Sequence, residues 1–451
     1  MQVALPAIKQ IYMDNVNGPK EIWGSHLDSG SFNKLESLTI FNVEKDTKVF
    51  SLDTIKQMRN LKELKLYIFQ LAEEFIERIG FYNDGIENSA LLPQLKELTI
   101  MSFPLLKQIQ WKELALQNLC CLTIFRIHGL TYLFSASVGR KLVNLKELDV
   151  SDCQMIEEIV GGESGDTNTV EVNVVFPPLN ILRLCNLPAL RSLTKDNVII
   201  EFPSIIEVVF QQFQNPIQLD LFQKFQHVKE LILGECEALL EPFDLERRAS
   251  PILPRLWKLT LANMHKLQMI PWKIFPIENL HYLKISDING LKFLFPAPLG
   301  SKGFAQLEEI HIEFCKDIEQ VLAQESTDDT ANNAASTTNV FPRVKIIELQ
   351  FLQNLRSFSS ENYKDLEFPS LEEVWILGCP MMEAFSYGSL STPRLRIVWI
   401  ESRYKEEHLD LNAAIKKSDA NIGTLDVAWA TLNTGPAARQ VIYCLQIPPP
   451  L

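Results

Sequence analysis

The residues best equipped for chemistry in this sequence are aromatic and charged, and they recur at one spacing. Trp375, Trp399, Tyr282, His311, Arg183 and Glu373 each stand two or four residues after the start of an apolar triplet, L-x-x-L-x-L. In a short strand those positions point away from the face that the leucines bury. Their chemistry is non-covalent recognition: ring stacking, ion pairing and hydrogen bonding. Trp and Tyr are among the residue types that most often carry binding energy. Trp375 and Trp399 fall at the same position of neighbouring repeats, which makes them the sharpest candidates for partner contact. The alternative is that they pack against a C-terminal cap or an adjoining domain.

Covalent and metal chemistry find little support. The sequence contains no G-x-x-x-x-G-K-[ST], no G-x-G-x-x-G, no H-E-x-x-H and no G-x-S-x-G. The 7 histidines are scattered, and the 8 cysteines include no C-x-x-C. Cys153, Cys236, Cys315 and Cys379 all lie eight residues after a triplet start. Phe103, Leu187, Phe213, Met264, Ile288 and Leu352 fill that slot elsewhere. Cysteine that alternates with apolar residues reads as a buried thiol. The reading is therefore a non-enzyme without cofactor or metal, in a reducing, intracellular (cytoplasmic) compartment. The formal charge of −13 comes with no basic stripe, so no nucleic-acid footprint is expected. No apolar stretch of about 20 residues offers a membrane span, and the N-terminus lacks the pattern of a secretory signal.

The triplet sets the architecture that must position these residues. It begins at residues 8, 35, 61, 95, 119, 145, 179, 205, 228, 256, 280, 307, 344, 371 and 395, at intervals of 23 to 37. In nine of the repeats, positions +11 and +14 from the start are again apolar, as in Ile156 and Ile159 or Leu355 and Phe358, while the repeat at Val228 keeps Leu239 but has Pro242 at +14. Burying about five apolar side chains per repeat does not offset the entropy of ordering about 25 residues. A single repeat cannot fold alone, and neighbours must stack. The expected fold is an α/β solenoid of leucine-rich-repeat type, a horseshoe or arc. About 15 short parallel strands would line its concave face, with mostly irregular or 3-10 arcs on the convex side.

A longer period overlies the short one. LFSASVGRKLVNLKELDVSDCQMIEEIV (133–160) resembles LFPAPLGSKGFAQLEEIHIEFCKDIEQV (294–321), and EFPS recurs at 201–204 and 367–370. This reads as an internal duplication of about 133–210 in 294–376. Two polar loops, 161–173 and 323–339, follow the duplicated segments at matching places. The solenoid is expected over 1–403, a C-terminal capping helix over 404–419 and a disordered tail over 420–451, which ends in Pro-Pro-Pro-Leu.

The repeats carry a family idiom: F-P-x-L entering the strand, C-x-x-I-E-E-[IV] leaving it, then a variable polar loop. FPSLEEVWILGCPMMEAFSYGSLSTPRLRIVWI (368–400) and LVNLKELDVSDCQMIEEIV (142–160) are examples. Over about residues 1–415 the chain resembles the C-terminal repeat region of plant intracellular nucleotide-binding leucine-rich-repeat resistance proteins, of the coiled-coil (non-TIR) type. The resemblance implies recognition of a pathogen effector or a guarded host protein. It also implies a nucleotide-binding domain as a partner in cis or in trans, since that switch is absent from this sequence. Two alternatives stand beside it: a substrate-recognition subunit of a ubiquitin ligase, and a truncated, non-signalling remnant.

Overall fold

The computed structural model describes residues 8–14, 32–41, 52–67, 91–103, 106, 109, 111, 114–161, 171–195, 197–213, 222, 224–236, 253–272, 275–297, 304–324, 340–361, 363, 365–400, 403–406 and 410–419. The tail at 420–451 and most of the two polar loops, at 162–170 and 325–339, lie outside these residues. The chain divides into two compact units, Met1–Val228 and Lys229–Leu451.

In the first unit, parallel strands form at each triplet: Gln10–Met13, Ser37–Phe41, Glu63–Tyr67, Glu97–Met101, Cys121–Phe125, Glu147–Ser151, Ile181–Cys185 and Glu207–Gln211. Register follows the leucines. Leu38 pairs with Leu64, Leu64 with Leu98, Leu98 with Leu122 and Leu122 with Leu148, all of them buried. A one-residue slip would turn every one of these side chains to the outer face, so the register is strongly specified. The second unit repeats the arrangement with Glu230–Gly234, Lys258–Ala262, Tyr282–Ser286, Glu309–Glu313, Ile346–Gln350, Glu373–Leu377 and Ile397–Ile400.

The arcs behind the main sheets contain more regular structure than short apolar echoes imply. In the first unit Tyr132–Ser135, Glu158–Gly161 and Ser192–Thr194 form a second parallel ladder. In the second unit Phe293–Ala297, Gln320–Gln324 and Ser357–Ser359 do the same. The +14 residues Leu133, Ile159, Leu193, Leu294, Val321 and Phe358 sit on these strands and are buried. The 3-10 turns Leu116–Asn118 and Ile277–Asn279 begin other coils.

The F-P-x-L entry has a direct physical basis. Its phenylalanine, three residues before the triplet, accepts the N–H of the first triplet residue in a tight turn, as Phe176 does for Leu179 at 3.3 Å. The rings then stack from coil to coil. Phe176 and Phe202 are 5.8 Å apart, Phe202 and Phe225 5.6 Å, and in the second unit Phe341 and Phe368 6.0 Å. Tryptophan serves in duplicate as well. Trp111 Nε1 donates to the Leu133 carbonyl at 2.8 Å, and Trp272 Nε1 to the Leu294 carbonyl at 2.9 Å.

A further regularity lies at position +7, where the chain leaves the strand. Ser102, Arg126, Asp152, Asn186 and Gln212 in the first unit all have positive φ. So do Glu235, Asn263, Asp287, Phe314, Phe351 and Gly378 in the second. At most of these positions the N–H donates to the last strand carbonyl of the next coil, for example Asp152 to Cys185 at 2.9 Å and Phe351 to Leu377 at 2.7 Å. The left-handed turn is costly for side chains other than Asn, Asp and Gly. The inter-coil hydrogen bond and the buried +8 residue beside it hold it in place.

The second unit ends differently. Arg403–Glu406 pairs antiparallel to Ile397–Ile400, and an α-helix spans Leu411–Asp419. Asp410 Oδ1 accepts the N–H groups of Asn412 and Ala413 at 3.0 and 3.2 Å, an N-cap. Leu411, Ala414 and Ile415 are buried. Asn412 binds the last coil through three hydrogen bonds: Oδ1 accepts from Phe385 N (2.8 Å) and Ser386 N (3.2 Å), and Nδ2 donates to Ser386 O (2.9 Å).

Candidate protein-recognition face

Because the triplet residues are buried, positions +2 and +4 of each strand form two rows on the opposite side. In the second unit one row reads Lys284, His311, Glu348, Trp375 and Trp399, paired strand to strand. The other reads Tyr282, Glu309, Ile346, Glu373 and Ile397. Five of the six residues singled out from sequence therefore share two adjacent rows. Arg183 belongs to the first unit.

Trp375 and Trp399 stack with ring centroids 5.1 Å apart and planes 9° from parallel. Both are half-buried. Trp375 Nε1 donates to Glu373 Oε2 at 3.4 Å, which orients the first indole. Tyr282 stacks on His311 at 4.8 Å, and the Lys258 ammonium lies 5.0 Å over the Tyr282 ring. This face offers a planar apolar platform beside a charged cluster.

His311 is the centre of that cluster. Its Nδ1 lies 2.8 Å from Glu348 Oε2 and its Nε2 3.1 Å from Glu309 Oε2. Burial works against the imidazolium, but hydrogen bonds to Glu348 and Glu309 outweigh it and hold the histidine above its ordinary range. Glu348 is held below the usual carboxylate range, first by the hydrogen bond from His311 and against burial. Lys284 meanwhile pairs with Glu313 at 2.8 Å. Glu348 stands at +4 of its own triplet, the outward position that His311 takes in the preceding repeat. It is 37 residues from His311, across the longest interval in the chain, and no local pattern could join the two.

Arg183 is engaged within its own sheet. Its two terminal nitrogens donate to Glu147 Oε1 and Glu207 Oε1, the latter at 3.0 Å. Asp149 lies buried next to it, and burial pushes its carboxyl up, against a hydrogen bond from Ser151 Oγ at 2.6 Å and the Arg183 charge. The guanidinium thus compensates acidic neighbours on the two flanking strands and is half-buried.

The four +8 cysteines are buried and unbridged. Each also makes a hydrogen bond that a purely apolar reading of the slot misses. The thiol donates to the carbonyl two residues earlier: Cys153 to Ser151 (3.3 Å), Cys236 to Gly234 (3.0 Å), Cys315 to Glu313 (3.4 Å) and Cys379 to Leu377 (3.5 Å). Burial pushes the Cys153 and Cys315 thiols up to about 12. Among the described residues, no group of three or more His, Cys, Asp or Glu is placed to hold a metal ion. No helix among them is long and apolar enough to cross a membrane.

Parallel strands at every triplet, apolar coil interiors and outward polar and aromatic rows define a leucine-rich-repeat solenoid, a class whose extended faces generally bind proteins. The family model for plant disease resistance protein RPS2-like leucine-rich repeats matches residues 7–154, 200–316 and 277–389, and the chain belongs to this family. The chain is also similar to the solved structure of a leucine-rich-repeat protein of Leptospira interrogans. The two are 15% identical over 66% of this chain and 86% of that one, with a TM-score of 0.22.

Proposed function

We propose that this chain is the recognition module of a plant innate immune receptor, and that it senses a pathogen effector or a guarded host protein without catalysing a reaction. The contact face is the pair of outward rows in the second unit, with the stacked Trp375 and Trp399 as its anchor. Family membership supports the receptor class, and the half-buried indole stack carries the assignment of the face. Half-buried aromatics that still present an edge are the usual anchors of a protein interface. Nucleotide exchange and signalling belong to a nucleotide-binding domain outside this sequence, joined in cis or bound in trans. None of the seven described cysteines is bridged by a disulfide, in keeping with an intracellular setting.

The test is capture from infected and uninfected leaf extract on the immobilised full chain and on its Trp375→Ala/Trp399→Ala variant. Expected is a pathogen or host protein retained by the parent chain and lost from the variant. Equal retention by both chains would remove the tryptophans from the contact. Retention of a ubiquitin-ligase scaffold in place of either would overturn the receptor reading.

A further inference from the structure

The left-handed +7 positions form an edge distinct from the recognition rows, and its chemistry changes between the units. In the first unit it is polar and self-satisfied. Arg126 Nε donates to Asp152 Oδ2 at 3.3 Å, and Asn186 Nδ2 to Asp152 Oδ1 at 2.7 Å. In the second unit the matching run is Asp287, Phe314, Phe351 and Gly378. The same backbone, which favours Asn, Asp or Gly, here carries two phenylalanines. Their rings stack 4.9 Å apart and 7° from parallel, and Phe314 is 40% exposed.

The stack is closed at its Phe351 end. At Gly378 (φ +62°) a Cβ would fall 2.7 Å from Phe351 Cδ1, so the Phe351 ring already fills the space beside that glycine. Phe314 stacks on Phe351 of the following coil and stays 40% exposed, and the +7 residue of the preceding coil is Asp287. The Asp287 N–H donates to Glu313 O at 3.0 Å, which fixes the two coils as neighbours. Asp287 Oδ1 accepts from Asn289 Nδ2 at 3.1 Å, and a carboxylate has capacity for about four such bonds.

We propose that this edge docks a partner protein segment that presents an arginine, with its guanidinium stacked on the exposed Phe314 ring and paired with the Asp287 carboxylate. The chain itself shows the same pair of contacts in its first unit, although there the ring stands at +6 of the arginine's own coil. The Arg126 guanidinium lies 4.9 Å from the Phe125 ring centroid while pairing with Asp152. In the second unit the ring and the carboxylate are present, and the partner supplies the cation. Arginine fits better than lysine because its planar guanidinium both stacks and forks to a carboxylate. A formal charge of −13 also favours approach of a cationic segment. This contact goes beyond the tryptophan-row reading and does not rest on it.

Fluorescein-labelled Gly-Arg-Gly-Arg-Gly and Gly-Lys-Gly-Lys-Gly, titrated with the full chain at physiological salt and followed by anisotropy, test it. The arginine peptide is expected to bind about threefold or more tighter than its lysine counterpart. Phe314→Asn and Asp287→Asn should each abolish that preference, and Trp375→Ala should leave it intact. Asparagine suits the left-handed backbone, so an unchanged or raised Tm in Phe314→Asn shows that the loss is not unfolding. Equal binding of the two peptides to the parent chain, or a preference that survives Phe314→Asn, overturns the proposal. Loss in Trp375→Ala alone moves the site to the tryptophan rows and overturns it as well.

Discussion

Trp375 and Trp399 occupy paired register positions on hydrogen-bonded strands, and their indoles stack at 5.1 Å. The stack is therefore part of the sheet's stability as well as of its outer face. An aromatic pair contributes about 0.5–1.5 kcal/mol beyond area burial. Trp375→Ala is expected to lower Tm by about 2–5 °C and Trp375→Phe by less, as read by calorimetry. If the alanine variant loses far more, the tryptophan belongs to the core and not to a contact face.

The His311 cluster gives stability a defined pH dependence. His311 is raised above its ordinary 6.5, so its contribution is full below about 6.5 and is lost as pH rises through the folded value. Glu348 is lowered from its ordinary 4.5, so its contribution is full above about 4.5 and is lost as pH falls through the folded value. The pair therefore stabilises most between those two limits. Urea midpoints of the parent chain and of His311→Gln should converge at alkaline pH and separate most within that window. Parallel curves at all pH values would show that the imidazolium contributes nothing.

The +8 thiols combine burial with a hydrogen bond, so size and polarity can be separated. Cys315 Sγ donates to Glu313 O and accepts the Ile288 N–H, both at 3.4 Å. Cys315→Ala is expected to cost about 1–3 kcal/mol, because it leaves that N–H unpaired beside a small void. Cys315→Ser keeps both hydrogen-bonding functions and should cost less. The reverse order in chemical denaturation would mark the slot as purely apolar. Iodoacetamide at mild alkaline pH should label Cys153 and Cys315 only on unfolding, since their thiols lie near 12.

Asn412 ties the terminal helix to the last coil through three hydrogen bonds. Asn412→Ala strands the N–H groups of Phe385 and Ser386 and should cost about 1–3 kcal/mol. Amide exchange followed by mass spectrometry should then quicken over 382–400 before it quickens over 344–360. Uniform quickening would mean that the helix does not close the second unit locally.

How far the molecule was legible in sequence depends on the range of each interaction. The triplets and the +8 slot follow burial period alone, and Leu35, Leu38, Ile40 and Cys315 are all fully buried where that period puts them. The F-P-x-L entry was visible as a motif, but the ladder from Phe176 to Phe202 exists only once coils stack. The left-handed +7 turn left only a partial compositional mark: Asp152, Asn186, Asn263, Asp287 and Gly378 suit it, whereas Ser102, Arg126 and Phe314 share little except that backbone. It is imposed by the inter-coil hydrogen bond. Tyr282 and His311 were placed on the same face, but their contact, and that of His311 with Glu348, depends on strand register.

The tight turn before the strands, made by Phe176, Phe202, Phe304 and Phe368 and by Leu142 or Leu253 elsewhere, has an evolutionary consequence. It fixes where a strand begins by reference to the coil beneath, whatever length of chain precedes it. Glu147 pairs with Ile181 across 34 residues and Ile181 with Glu207 across 26, yet both ladders run in the same register. Insertions and deletions upstream of this turn are thereby decoupled from strand alignment. Such a design lets segments like 162–170 and 325–339 diversify under selection while the rows of the sheet keep their order.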